Sequence, residues 1–179
     1  MKKIITFLLV VFILTGCTDM MNTPTKRVEE FLGKYQTMDT EVLTQLDDIL
    51  ETEGTMTDEQ KKEYKDIMKK QYQNLSYKIK DETVDGDDAT VEVEIEVYDY
   101  HSAISEIEEE LDKNQEAFLD ENNNLDIEKF MNAKLEQLNN VKEKIKYTLY
   151  IDVHKKDDKW VMDNISETDL KKLHGLYDY

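Results

Sequence analysis

Several residue types that commonly build catalytic or metal sites are scarce in this chain of 179 residues. It has one cysteine, Cys17, which excludes an internal disulfide bond and any zinc site made of CxxC pairs. Its five glycines and one proline form no glycine-rich phosphate loop and no G-x-S-x-G motif. The three histidines, His101, His154 and His174, are far apart and are interpreted as solvated surface residues. No metal site is predicted.

Basic residues are also few. The chain has 23 lysines and arginines against 41 acidic residues, a formal charge of -18. Such a charge repels nucleic acid and anionic lipid headgroups, so no nucleic-acid partner is expected. It attracts cationic partners, such as a cationic peptide, and also serves solubility. Apolar residues still make up 39% of the chain, which is enough for a folded core.

The N-terminus combines a positive patch with a short apolar run. Lys2 and Lys3 precede residues 4–14, which are apolar except for one threonine. The run is shorter than the roughly 20 apolar residues that a membrane-spanning helix needs. This pattern is typical of a secretory signal peptide. The small residues Thr15 and Gly16 then stand directly before Cys17.

The run Leu14-Thr15-Gly16-Cys17 resembles the lipobox of bacterial lipoproteins. In that family the cysteine sulfur receives a diacylglyceryl group, and a peptidase cuts before the cysteine. The resemblance implies a signal peptide over residues 1–16 and a lipidated tether over residues 17–22. Acyl chains such as palmitate on Cys17 would then anchor the protein in the cell membrane, facing outside the cytoplasm. No cofactor other than this covalent lipid is expected. The alternative is an ordinary signal anchor with an incidental cysteine.

Residues 23–179 read as one domain that begins with three helices. Thr23-Pro24 and Asp39 are helix starts, Glu53-Gly54 is a helix end, and the capping box at 57–60 starts the third helix. Apolar residues at helical spacing predict the buried faces. These are Val28, Phe31, Leu32 and Tyr35; then Val42, Leu43, Leu46 and Ile49; then Tyr64, Ile67, Met68 and Tyr72.

After the third helix the spacing of the apolar residues changes from a period of 3.6 residues to a period of 2. This alternation predicts antiparallel strands with one buried face. Asp85-Gly86 marks the turn between the first two strands. Asp157-Asp158 leads into a short strand with Trp160, and a capping pattern from Ser166 starts a last helix. The predicted inward set is Leu75, Tyr77, Ile79, Val91, Val93, Ile95, Val97, Ile145, Tyr147, Leu149, Ile151 and Val153.

Two helical stretches, at about 102–120 and 125–141, interrupt the strands. Both carry narrow apolar stripes, and Asn122-Asn123-Asn124 joins them, so we predict an αα-hairpin that projects from the body. The joint resembles a calcium-binding EF-hand loop starting at Asp120. However, Leu125 and Met131 stand where that loop needs glycine and glutamate, so calcium binding is not expected.

The order of elements resembles the nuclear transport factor 2-like α+β cone, a cystatin-like arrangement. The resemblance lies in the opening TPTKRVEEFLGKYQTMDTEVLTQL, the strand ATVEVEIEVYDY and the closing pair KIKYTLYIDVHKKDDKWVMDNI. It implies an α+β fold, with N-terminal helices packed on a curved antiparallel sheet of about four strands. The predicted helical hairpin, at about 102–141, is an insertion between strands two and three. Known members of the family include isomerases, dehydratases, ligand binders and interaction modules, so the fold does not choose a function.

The predicted concave face offers little chemistry. The inward set contains no carboxylate and no histidine, and a general base needs a titratable group within reach of the substrate. Asp163 is a weak candidate, because it faces inward only if Trp160 faces outward. Trp160 has the larger apolar surface to bury, so Asp163 is expected outside. Tyr77, Tyr147 and Trp160 either line a small apolar pocket or fill the core; core filling is the preferred interpretation.

Three functions are open at this point. The first is a non-catalytic, membrane-anchored lipoprotein that binds an envelope protein, an envelope component or a cationic peptide. The second is a binder of a small apolar ligand in the cone, and the third is an enzyme of the isomerase or dehydratase type. Glu106, Glu108, Glu109 and Glu110 give the hairpin an acidic flank that either binds the partner or is simply solvated.

Overall fold

The computed structural model describes residues 22–178 of the chain. The predicted signal peptide, Cys17 and most of the tether lie outside these residues. The described part is an α+β fold, as expected, with six α-helices and a four-stranded antiparallel sheet in the order β1-β2-β3-β4. Within it, no helix combines the length and apolarity required to cross a bilayer.

The elements follow one another in the predicted order. The helices are α1 (Pro24–Thr37), α2 (Thr40–Thr52), α3 (Asp58–Gln73), α4 (Tyr100–Lys113), α5 (Ile127–Asn140) and α6 (Glu167–Leu173). The strands are β1 (Ser76–Asp85), β2 (Asp88–Tyr98), β3 (Lys144–Lys156) and β4 (Lys159–Met162). A short 3-10 helix, Gln115–Phe118, lies between α4 and α5.

The predicted helix starts are confirmed by their side-chain caps. Thr23 accepts a hydrogen bond from the backbone N–H of Lys26, and Asp39 accepts one from Glu41. Thr57 and Gln60 form both bonds of a capping box, and Ser166 caps the last helix. Each cap satisfies a backbone donor that the helix itself leaves unpaired, so these boundaries are set locally.

The sheet buries one face, as its alternating sequence predicts. Val91, Val93, Ile95 and Val97 of β2 are completely buried; of the facing residues of β3, Tyr147, Leu149 and Ile151 are buried and Ile145 is half-buried. The opposite, outer face carries ion pairs between lysine and glutamate side chains of neighbouring strands. Lys146, and then Lys80, lower the pKa of Glu94 on that face. The hydrophobic core therefore lies between the sheet and the helices.

Helix α1 lies across the sheet and contacts all four strands, and α3 packs on α1 from the other side. On α2 the predicted buried face is wrong in one position. Ile49 is 53% exposed, whereas Leu50 is 7% exposed and joins Val42 and Leu46 in the core. The buried residues follow a spacing of four, which α2 needs in order to face α1 and α3.

The helical hairpin is present between β2 and β3, but the prediction that it projects from the body is wrong. Helix α5 runs alongside α3: Gln60 donates to the backbone oxygen of Glu128, and Lys70 donates to that of Asn139. Leu135 and Leu138 are buried in the main core. The hairpin is therefore part of the helical layer.

The joint of the hairpin also differs from the prediction. Helix α4 ends at Lys113, and the chain passes through the 3-10 helix before a tight turn. Asp120 accepts hydrogen bonds from the backbone N–H groups of Asn122 and Asn124, both at 2.8 Å. These bonds, the one from Asn124 first, lower the pKa of Asp120. The carboxylate of Asp120 thus holds a turn of its own backbone.

Candidate functional site

The inner face of the sheet has the apolar character predicted for it, except for one polar residue, Glu82. The register of β1 shifts between Ile79 and Asp81, a β-bulge that reverses which side chains point inward. Glu82 therefore pairs with Val91 on the inner side, where simple alternation from Ile79 would not place it. A bulge in this strand leaves no signal in the alternating pattern, so sequence reasoning missed Glu82.

Glu82 has a structural partner at the start of α1. Its Oε2 accepts hydrogen bonds from the backbone N–H of Thr25, at 2.9 Å, and from its hydroxyl, at 2.6 Å. A carboxylate is favourable there because the N-terminus of a helix carries unpaired N–H groups and a partial positive charge. The side chain is exposed, so its geometry is that of a helix cap at the sheet edge.

The three residues predicted for a cone pocket lie in two places. Tyr77 and Tyr147 both pair with Ile95, one from each neighbouring strand. Trp160 pairs with Lys155, which lies eight residues beyond Tyr147 on β3, or about 26 Å along the strand. The structure thus places the two tyrosines on either side of Ile95 and places Trp160 at the other end of the sheet.

Tyr77 packs against the core, and Tyr147 and Trp160 also have partners of their own. The hydroxyl of Tyr147 donates to the backbone oxygen of Tyr177 at 3.3 Å, and the two rings meet edge to face. The backbone N–H of Trp160 donates to Oδ1 of Asn22 at 3.2 Å, and Lys155 lies 5.0 Å from the centre of its ring. These contacts are those of packed residues.

Asp163 follows β4 on the outer side of the sheet. Trp160 and Met162 pack against the core while Val161 is exposed, which is the register that the size of Trp160 favours. Oδ1 of Asp163 lies 2.7 Å from Nδ1 of His154, and both side chains are more than a third exposed. His154 is therefore on the polar face, as expected.

This pair could in principle orient an imidazole as a base, but it lies on an open, solvated surface. A catalytic pair gains most of its strength where water is excluded. Among residues 22–178, no group of three or more histidine, cysteine, aspartate or glutamate side chains is arranged to hold a metal ion. The geometry around Asp163 is that of a surface side-chain pair that joins β3 to the end of β4.

A buried polar cluster lies instead between α3 and the C-terminal segment, and sequence reasoning missed it. The hydroxyl of Tyr72 lies 3.1 Å from Nε2 of His174. The side-chain amide of Gln71, completely buried, donates to the backbone oxygens of Tyr98 and His174 and accepts from the N–H of Tyr98. The interpretation of His174 as a solvated residue is wrong, because the C-terminal segment folds back over α3.

Burial changes the acid–base properties of this cluster. It lowers the pKa of His174 to about 4, because the charged imidazolium loses its hydration. Burial likewise raises the pKa of Tyr72, and it raises the pKa of the neighbouring Tyr35 to about 12, so both phenols stay neutral at pH 7. The neutral tyrosine–histidine contact, inside a packed core, serves to fix the C-terminal segment.

This cluster predicts a loss of stability in mild acid. The unfolded chain protonates His174 near pH 6.5 and the folded chain near pH 4, so the unfolded state binds more protons between these values. The free energy of unfolding should therefore fall by up to about 3 kcal/mol as the pH falls from 6.5 to 4. Urea unfolding of the wild type and of His174→Gln at several pH values measures this slope.

The matched control is His154→Gln, because that histidine is on the surface. We expect the pH slope to be reduced in His174→Gln and retained in His154→Gln. Equal slopes in the wild type and His174→Gln would show that other groups cause the acid sensitivity.

Helix α2 borders two clefts on the helical side of the molecule. The larger, about 710 Å³, lies between α1, α2 and the segment after β4, and many of its lining residues are charged. The smaller, about 350 Å³, lies between α2, α3, α4 and α5 and is mainly apolar. We call the larger one the charged groove and the smaller one the helical cleft. The residues that line the helical cleft are Ile49, Leu50, Glu53, Thr55, Met56, Tyr64, Ile104, Met131, Lys134, Leu135, Leu138 and Leu176.

Comparison of the chain with models of known protein families, with curated proteins and with solved structures finds no match.

Proposed function

We propose that the protein is a lipid-anchored, extracytoplasmic lipoprotein that binds a partner protein or envelope component and is not an enzyme. The single observation that carries the proposal is the N-terminal pattern, in which a basic and apolar leader ends at Leu14-Thr15-Gly16-Cys17. The nuclear transport factor 2-like resemblance is compatible with such a module, but it does not name the partner.

The position of the first folded residues supports a short tether. Asn22 already contacts Trp160, and Thr23 caps α1, so the fold starts directly after the proposed tether. Six residues reach about 20 Å when fully extended. The domain would therefore stay close to the membrane and expose one preferred side.

The topology indicates which side of the domain would face away from the membrane. Trp160 and Glu82 contact the start of the domain, and both lie near the β1–β2 and β3–β4 turns. The helical hairpin connects at the opposite end, where β2 finishes at Tyr98 and β3 begins at Lys144. Under this proposal the turns are near the membrane, and the hairpin is joined to the sheet at the end away from it.

The acidic flank of the hairpin is the proposed contact for a cationic partner. Deletion of residues 102–141 would not test this, because Leu135 and Leu138 belong to the core. Exposed residues offer a better test. Glu109 and Glu110 lie on α4 and are exposed, so their replacement by lysine reverses the local charge without touching the core.

The experiment is crosslinking in intact cells followed by capture of the full-length protein. Glu109→Lys with Glu110→Lys is compared with Glu59→Lys and Glu63→Lys, which change the net charge equally on exposed positions of α3. We expect a protein captured by the wild type to be lost at least fivefold in the α4 variant and kept in the α3 variant. Equal capture in both variants would exclude the acidic flank, and no capture by the wild type would contradict partner binding.

A further inference from the structure

The helical cleft has the features of a small-molecule site, and it is separate from the anchor and from the acidic flank. We propose that it binds an uncharged, mainly apolar molecule that places one oxygen atom against the hydroxyl of Tyr64. Its volume, about 350 Å³, lies at the lower end of the range for such sites. The site differs from the cone pocket considered from the sequence, because its walls are helices, the α2–α3 loop and the C-terminal segment instead of the sheet.

The walls of the helical cleft combine a fixed floor with adaptable sides. Leu135 and Leu138 are almost completely buried and belong to the main core. Met56 and Met131 are half-buried and line the same space. Methionine side chains are flexible and polarizable, so they can adjust to apolar molecules of different shapes.

Tyr64 provides the polar contact. Its ring is half-buried against the core, and its hydroxyl has no hydrogen-bond partner within the part of the chain that the structure describes. Burial, and then the nearby charge of Glu53, raise the pKa of Tyr64, so the hydroxyl remains protonated. Tyr64 lines the helical cleft, so its hydroxyl can donate a hydrogen bond to an acceptor oxygen on a ligand.

The two charged residues of the cleft already have partners. Glu53 accepts hydrogen bonds from the N–H and the hydroxyl of Thr55, at 2.9 and 2.7 Å. The ammonium group of Lys134 lies 3.5 Å from Oε1 of Glu108. A charged ligand would have to break one of these contacts or stay unpaired in an apolar space, which is costly. The net charge of -18 further disfavours anions. The preferred ligand is therefore neutral.

Ile49 offers exposed apolar surface that a bound ligand would cover. Its side chain is 53% exposed at the edge of the helical cleft, whereas Leu46 and Leu50 on the same helix are buried. Covering such apolar surface removes it from water, which favours binding. A ligand in the cleft would cover apolar surface on both α2 and α5.

The test uses photoaffinity labelling of the full-length protein in its membrane, with the labelled residues mapped by mass spectrometry. The probe is a medium-length aliphatic alcohol that carries a diazirine, and the comparison probe is the carboxylate of the same length. We expect the alcohol to label peptides that contain Met56 and Met131 at least tenfold more than the carboxylate does. Equal labelling by both probes would overturn the preference for a neutral ligand.

Two pairs of variants locate the site. Met131→Trp should fill the helical cleft and reduce labelling at least tenfold, whereas Met162→Trp, in the charged groove, should leave it unchanged. Tyr64→Phe keeps the ring and should reduce labelling by the alcohol several-fold; Tyr150→Phe, exposed on the outer sheet face, is its control. Labelling that survives both Met131→Trp and Tyr64→Phe, or that spreads evenly over the surface, would overturn the proposal.

Discussion

Replacing Gly175 by alanine is expected to destabilise the fold by more than about 4 kcal/mol, or to prevent folding, an exceptional effect for one methyl group. Gly175 has φ of +71°, a conformation that side chains disfavour. A β-carbon at this position would also overlap the backbone oxygen of Tyr98 and the side-chain amide of Gln71. Neither neighbour can move easily, because one is backbone and the other is completely buried.

The effect is large because Gly175 lies where several elements meet. Gln71 of α3 bonds to the end of β2 and to the C-terminal segment through the same amide. The backbone N–H of His101, at the start of α4, donates to the oxygen of Gly175 at 2.7 Å. Displacement of Gly175 would therefore leave several buried polar groups unpaired, each at a cost of roughly 1–3 kcal/mol.

Gly86→Ala is the matched control. Gly86 has a similar φ of +65°, but a β-carbon there meets no atom within 4 Å. It should cost only about 1–2 kcal/mol, the strain of the left-handed conformation itself. Urea unfolding followed by circular dichroism measures both variants. Similar losses in the two variants would contradict the crowding at Gly175.

Under the lipoprotein proposal, replacing Cys17 by serine is expected to abolish lipidation and the mature, membrane-bound form of the protein. Each buried methylene group of an acyl chain contributes about 0.8 kcal/mol to membrane binding, and two chains make the anchoring stable. Without them, an acidic domain has no electrostatic attraction to anionic lipids. The variant should appear in the medium or as the uncleaved precursor.

Cell fractionation together with the mass of the N-terminal peptide measures this outcome, and Thr18→Ser serves as the neighbouring control. The control should keep the lipid mass on Cys17 and remain in the membrane fraction. A Cys17→Ser protein that is cut before position 17 and remains in the membrane fraction would contradict the lipoprotein proposal.

The sequence by itself determined the features that depend on near neighbours. Thr23, Asp39, Thr57 and Ser166 were recognised as helix caps because a cap bonds to backbone only two or three residues away. The buried faces of β2 and β3 followed from alternation, because successive side chains in a strand point to opposite sides. The α+β class was the one implied by the family resemblance that the order of these elements carries.

Other features were decided only by the tertiary structure. A bulge in β1 turned Glu82 inward, and the packing of α2 buried Leu50 and exposed Ile49 at the edge of the helical cleft. His174 reads as a surface residue until the C-terminal segment meets Tyr72, 102 residues earlier in the chain. Such contacts depend on the shape of the whole core and leave no local pattern. For that reason the proposed ligand site, built from five separated segments, could not be predicted from the sequence.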